Sequence, residues 1–329
     1  MPSADGTLLR CWRTAASGPP VLLCPGLGTP PEAWPGLLEP GAGVRVRSWH
    51  YRGLLGSARP ADPDRITVAD HVADALAVLD APIDSIANTH SADNTASSDA
   101  PAVVIGWSLG ALVALELACQ HPERVSGLLL VSGAGADLFG GMLGALGLLD
   151  TVGVTAPARR AFALGATQLV RAAGPLLNAV AARVPVNRTT ANLIRHSGLM
   201  RPACATEDVR RAASAFLGHD WGWYSTLALA VAEAEEPELA RLRVPLTVLT
   251  GQYDLLADPR HVLGSVAALP QARLRVLPTS HFIPLEAPDV LAEELRALVE
   301  RAEAVSAAMS MARPIAASTP LTTRSRRPA

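Results

Sequence analysis

Ala102-Val103-Val104-Ile105-Gly106-Trp107-Ser108-Leu109-Gly110-Ala111-Leu112-Val113 is the stretch on which the fold turns. It opens as an apolar, β-branched run, breaks at a glycine, and resumes with Leu109, Leu112, Val113, Leu115 and Leu117 at helical spacing. His121-Pro122 then stops the helix. Strand, sharp turn and helix in that order put Ser108 at the apex of the turn, where its backbone must be strained. Gly106 and Gly110 are predicted to permit close packing, since a side chain at either would collide with the neighbouring strand and helix. The helix N-terminus aims free N–H groups and a partial positive charge at the oxyanion that forms when a serine attacks a carbonyl. The pattern G-x-S-x-G is weak evidence alone in a chain with 26 glycines; the strand before it and the helix after it make it informative.

Outward from this turn, apolar runs at 7–13, 21–24, 44–50, 127–131, 246–250 and 274–277 read as further strands beside 102–106. Between them lie helical patterns, at 66–79 (Ile66, Val68, Val72, Leu76, Leu79) and at 109–119. Alternation of this kind predicts an α/β fold with a mostly parallel sheet flanked by helices. From 133 to 241 the rhythm gives way to Ala/Leu/Gly-rich helical sequence, read as a helical cap inserted between two parts of the core, 1–132 and 242–304. Residues 82–100 are polar and read as a flexible loop, and 305–329, with four Arg and no acid, as a disordered tail.

Composition narrows the classes. Of 329 residues, 49% are hydrophobic and 18% charged, which excludes a disordered chain, and the 4% of aromatics point to a core of Ala, Leu and Val. A formal charge of -2 offers no basic stripe for a phosphate backbone, so nucleic acid is not an expected partner. All 28 basic residues are Arg, which removes lysine from any mechanism. Cys11, Cys24, Cys119 and Cys204 are far apart, with no metal-binding or disulfide pattern, and read as small reduced hydrophobes. No secretory signal is legible at the N-terminus, and the 138–149 apolar run is shorter than the ~20 residues of a spanning helix, so a cytoplasmic location is expected. Weak contact with a lipid surface and a homo-oligomeric state stay open.

A nucleophilic serine needs a base, and the base needs an orienting acid. His281, in Ser280-His281-Phe282-Ile283-Pro284, follows the last strand; Asp254, in Gly251-Gln252-Tyr253-Asp254, follows the strand before it. Both lie on loops at the carboxyl ends of strands, where open α/β sheets build their sites. Asp258 is the alternative acid, although its place before Pro259 reads as a helix N-cap. His50, His71, His121, His196, His219 and His261 show no metal-ligand spacing and read as surface or helix-end residues. Cys24-Pro25-Gly26-Leu27-Gly28 follows an early strand. It can supply the Leu27 N–H as partner to the Leu109 N–H in an oxyanion hole, or it is an ordinary Pro/Gly turn. Trp107 stands next to the serine and is a candidate for the substrate pocket, with packing against the sheet as the equal alternative.

These pieces, with His121-Pro122-Glu123-Arg124-Val125 after the elbow helix and Arg243-Val244-Pro245 before the strand leading to Asp254, resemble the α/β-hydrolase superfamily, in its capped esterase branch, from about residue 7 to 302. The resemblance implies Ser108 as nucleophile, Asp254 as acid, His281 as base, Leu27 and Leu109 as oxyanion donors, and neither metal nor organic cofactor. The chain departs from the family in having Pro25-Gly26 where His-Gly is frequent, and His50-Tyr51-Arg52-Gly53-Leu54-Leu55 where an Asp-x-Arg-Gly-His-Gly turn is frequent. The expected activity is cleavage of small hydrophobic carboxylic esters or thioesters through an acyl-enzyme. A carbon–carbon bond hydrolase, an acyltransferase and a non-catalytic small-ligand binder remain alternatives on the same fold.

Overall fold

The computed structural model describes residues 1–14, 17–82, 100–133, 156–232, 234–235 and 237–312. Most of the expected 82–100 loop, the whole 138–149 apolar run and 313–329 lie outside the described residues. Among the described residues seven strands form one sheet: β1 (Cys11–Arg13), β2 (Pro20–Cys24), β3 (Arg45–Trp49), β4 (Ala102–Trp107), β5 (Val125–Val131), β6 (Leu246–Gly251) and β7 (Ala272–Leu277). Their spatial order is β1-β3-β2-β4-β5-β6-β7, with β1 antiparallel to β3 and every other pairing parallel.

Both faces of the sheet are covered, so its central strands are apolar on every residue rather than on alternate ones. Leu22, Val104, Leu128, Leu130 and Val248 pack on one side with α1 (Val68–Asp80) and α2 (Leu109–Gln120). Val21, Leu23, Val103, Ile105, Leu129 and Leu249 pack on the other with the C-terminal helix (Pro288–Ala312). Helix α2 buries ten of its twelve residues, which is why its sequence is hydrophobic all round. Thr67 caps α1 through a reciprocal box with Asp70.

Among the described residues five α-helices run between β5 and β6: α3 (Ala156–Ala172), α4 (Gly174–Ala181), α5 (Arg188–Arg195), α6 (Thr206–Leu217) and α7 (Trp221–Ala232). After β6 come α8 (Pro259–Val266) and, after β7, a four-residue helical turn leading into α9 (Pro288–Ala312). Two expectations need correction. The first strand is only Cys11–Arg13, because Leu8 bridges to Pro2 and turns the preceding residues away from the sheet. The boundary at 304 falls inside α9, which runs on to Ala312 without a proline or glycine to break it.

Candidate active site

Strand β4 delivers Ser108 to the turn at the carboxyl edge of the sheet, and the backbone there is strained as expected: φ is 55° and ψ -121°. The Ser108 N–H donates to Val131 O at 2.9 Å, which ties the elbow to β5. A Cβ on Gly106 would lie 2.6 Å from Ala111 Cα, and one on Gly110 would overlap the carbonyls of Cys24 and Pro25. The glycines therefore set how closely the turn approaches both its helix and the loop after β2.

That loop is a β-turn over Gly26-Leu27-Gly28-Thr29, closed by Thr29 N–H donating to Gly26 O at 3.1 Å, with Gly28 at φ 68°. The second residue of such a turn has a free N–H. Among the described residues neither the Leu27 N–H nor the Leu109 N–H donates a hydrogen bond, and both residues border the same cavity as Ser108.

His281 and Asp254 come together at the ends of β7 and β6. The imidazole Nδ1 is 2.9 Å from Asp254 Oδ2 and 3.1 Å from Oδ1, and both residues are buried. Asp254 Oδ1 also accepts the N–H groups of Leu256 and Ala257, each at 2.8 Å, so the carboxylate is held from both sides. With Nδ1–H committed to the carboxylate, Nε2 is the free acceptor. His281 and Ser108 line one cavity, but no hydrogen bond joins the hydroxyl to the imidazole in this state. Asp258 sits elsewhere: its side chain accepts from Arg260 N–H at 2.9 Å and caps α8.

The cavity has a volume of about 370 Å³, within the usual range for small-molecule sites. Its walls are mainly apolar, with Ala166 and Val170 from α3, and Trp221, Tyr224 and Ala228 from α7. Trp107 does not border it. Its indole is buried, meets Trp34 and Phe282 edge to face, and donates Nε1–H to His281 O at 3.0 Å. The side chain thus serves the histidine loop from behind and lines a second apolar cavity of about 210 Å³ beside Met200, Phe216 and Phe282. Trp223 likewise turns from the cavity beside Ser108, donating Nε1–H to Arg52 O at 2.7 Å under the Arg59 guanidinium.

Three contributors had no signal in the sequence. Glu286 is a buried carboxylate that accepts from Ser280 N–H at 2.8 Å, Ser280 Oγ–H at 2.6 Å and Arg201 N–H at 2.8 Å, fixing the residue before His281. His219 is buried between α6 and α7, not exposed at a helix end. Its Nε2 lies 2.6 Å from Gly28 O, and burial lowers its pKa despite the opposing effect of that hydrogen bond. Tyr51 donates its hydroxyl to Pro25 O at 2.9 Å, so the unusual 50–55 turn braces the loop after β2. His50 and His71 are buried as well, which corrects the expectation of a surface position for both. A large apolar neighbour at the right chain position could have suggested burial, but the partners lie too far along the sequence to be read from it.

A strained serine at a strand-to-helix turn, facing a histidine held by a carboxylate at the carboxyl edge of a parallel sheet, defines a class of nucleophile-elbow proteins. The chain belongs to the α/β-hydrolase family: a family model of the alpha/beta hydrolase fold matches residues 19–288. Among solved structures, the chain is similar to the enol-lactonase from Burkholderia xenovorans LB400, with a TM-score of 0.58 and 21% identity, covering 89% of this chain and 96% of that one. It is also similar to an esterase from Exiguobacterium antarcticum, with a TM-score of 0.59 and 18% identity, covering 91% of this chain and 97% of that one. A short stretch is 57% identical over 37 residues to pimeloyl-[acyl-carrier protein] methyl ester esterase of Neisseria meningitidis serogroup B, strain MC58. That stretch is 11% of this chain and only 14% of the relative's length. Among the described residues no helix is long and apolar enough to cross a membrane.

Proposed function

We propose that the protein is a serine hydrolase of hydrophobic carboxylic esters or thioesters. The observation that carries this reading is one apolar cavity bordered by Ser108, His281 and two residues, Leu27 and Leu109, whose N–H groups are unpartnered. His281 Nε2 takes the hydroxyl proton as Ser108 Oγ bonds to the carbonyl carbon, and the two N–H groups receive the oxyanion. Collapse of the tetrahedral adduct breaks the bond to the alcohol or thiol, which leaves with the proton from His281. Water, deprotonated by the same imidazole, then adds to the acyl carbon; the bond to Ser108 Oγ breaks, His281 returns the proton to that oxygen, and the acid leaves. Asp254 keeps the Nδ1–H tautomer and stabilises the imidazolium. The hydroxyl must rotate to meet Nε2, a closure that such sites complete on binding substrate.

The helices between β5 and β6 act in this reading as the cap, with Trp221 and Tyr224 bounding the acyl or alkyl group. The esterase and lactonase names among the similar proteins agree with carboxylic ester chemistry. The test is labelling with a fluorophosphonate and hydrolysis of p-nitrophenyl esters over a range of chain lengths. Wild type labels and turns over; Ser108→Ala and His281→Ala do neither, and rates fall at chains too long for the cavity. A folded wild type that neither labels nor hydrolyses any of the esters overturns the reading and favours a ligand-binding role.

A further inference from the structure

Between Asp150 and Glu207 the chain has seven arginines and no carboxylate, although its overall formal charge is -2. This strongly polarised stretch carries α3 and α4, which pack against α7 and leave their other faces to solvent. On α3 the inner positions are Ala163, which is buried, and Ala166 and Val170, which border the catalytic cavity. The outer face carries Phe162, 67% exposed, and Leu169, 71% exposed, seven residues apart and therefore on one line of the helix. On α4, Leu176 is 67% exposed and Val180, one turn on, is 53% exposed. Single exposed apolar side chains need no explanation, but four large ones on two consecutive helices do. Arg171, in the last turn of α3, and Arg183, just after α4, are exposed and make no ion pair among the described residues.

We propose that the outer face of α3 and α4 docks on an anionic lipid bilayer, with Phe162, Leu169, Leu176 and Val180 entering the headgroup boundary and the arginines meeting lipid phosphates. Exposed apolar side chains flanked by arginines are what an interfacial helix pair requires, and the one acid joined to α4, Asp220, is neutralised by Arg59. Charge favours an anionic leaflet over a zwitterionic one. Long arginine stems can lie along apolar surface while their guanidinium groups reach the headgroups. Docking would also bring a membrane-dissolved ester to the side of α3 opposite the cavity wall. That consequence rests on the ester-hydrolase reading, whereas docking itself does not.

The experiment is co-sedimentation of the full chain with phosphatidylcholine vesicles, with and without phosphatidylglycerol. Wild type, Ser108→Ala, Phe162→Ser/Leu169→Ser and Arg171→Glu/Arg183→Glu are compared after thermal melts establish that each is folded. Wild type and Ser108→Ala are expected to bind only the anionic vesicles, more weakly as salt rises, and each double variant at least about tenfold more weakly, the charge-reversed one most of all. Both double variants should hydrolyse a short water-soluble ester at the wild-type rate. No binding to anionic vesicles, equal binding to both vesicle types, or binding unchanged in the double variants overturns the proposal. So does a concentration-dependent dimer, detected by sedimentation velocity, that Phe162→Ser/Leu169→Ser abolishes while vesicles go unbound. Failure of fluorophosphonate labelling bears on the hydrolase reading and leaves this one standing.

Discussion

Replacing His219 with alanine should slow catalysis without greatly weakening substrate binding. The imidazole donates Nε2–H to Gly28 O at 2.6 Å, stacks on Tyr224 at 5.8 Å and meets Phe216 edge to face at 5.5 Å. Burial lowers the pKa, so the ring is neutral at pH 7 and can donate from one nitrogen. Alanine leaves the buried Gly28 carbonyl without its donor, at a cost of about 1–3 kcal/mol. That carbonyl belongs to the Gly28–Thr29 peptide, whose N–H closes the turn onto Gly26 O, the carbonyl of the peptide that bears the Leu27 N–H. Freeing it therefore loosens the turn that would aim the Leu27 N–H at the proposed oxyanion. Complete loss of one oxyanion donor costs about 100-fold to 1,000-fold in kcat. Partial misalignment should therefore lower kcat by about tenfold to 100-fold, with KM changed by less than about threefold. His219→Gln can still offer an N–H to Gly28 O and should recover much of the loss. Steady-state hydrolysis of a p-nitrophenyl ester, beside thermal melts of the three proteins, measures both effects. An alanine variant within twofold of wild type in kcat, or a glutamine variant no better than alanine, refutes the reasoning.

His50 is pushed down to about 4 by burial, helped by Arg10 and His219, against about 6.5 in an unfolded chain. Between those values the unfolded chain binds a proton that the native one refuses. Stability from this group is thus full above about pH 6.5, falls as pH drops, and levels below about pH 4, a loss of up to ~3 kcal/mol. Urea melts across this range should show His50→Gln to have a shallower fall than wild type; equal slopes count against the assignment. Trp107→Phe keeps the edge contacts but removes the donor to His281 O, so it should cost about 1–3 kcal/mol in a thermal or urea melt and lower kcat several-fold at unchanged KM. An effect confined to KM would instead make Trp107 a substrate contact. Arg52→Met strands Asp74, a fully buried carboxylate that Arg52 Nε and Nη2 grip at 2.8 and 2.7 Å, and should destabilise by about 3–5 kcal/mol. Arg52→Met/Asp74→Asn should recover part of that, and no recovery would mean that the guanidinium's bond to Arg65 O matters more.

What was legible in the sequence is what depends on neighbours in the chain. The 102–106 strand and 109–119 helix emerge as Ala102–Trp107 and Leu109–Gln120, because apolar spacing and the Gly106 break are local. Asp254 and His281 were legible for a related reason: each follows a strand whose apolar run marks where the carboxyl edge lies, and the sheet brings loops 27 residues apart into contact. The sequence left Trp107 between pocket and packing because adjacency to Ser108 does not fix direction. Consecutive strand residues point to opposite faces, and its ring falls on the face away from the cavity. His219 and Gly28 are separated by 191 residues, and no spacing rule pairs a helix-end histidine with a distant carbonyl. The end of α9 escaped for an energetic reason. Val305, Met309 and Met311 are exposed, so the helix outlives the apolar stripe that announced it and continues on intrinsic propensity.

The long-range contacts share a pattern that bears on how substrate enters. His219 reaches Gly28 in the loop that bears Leu27, and Trp223 reaches Arg52, whose neighbour Tyr51 holds Pro25 in the same loop. Arg201 N–H reaches Glu286, which holds Ser280 beside His281. Each tether therefore joins the segment between β5 and β6 to the loops that bear Leu27 and His281, and lifting α6 or α7 would disturb the candidate site beneath them. Helix α3 differs. It packs on α4 and α7, and its one described side-chain hydrogen bond, Thr167 Oγ1–H to Ala163 O, stays within the helix. Displacing α3 breaks no polar contact to the sheet layer among the described residues, yet it opens the wall formed by Ala166 and Val170. Among the described residues α3 is thus the cavity wall with no polar tether to the sheet layer, and its far side carries Phe162 and Leu169. A surface that draws on those two side chains would loosen this wall while leaving the oxyanion loop and the histidine loop in place.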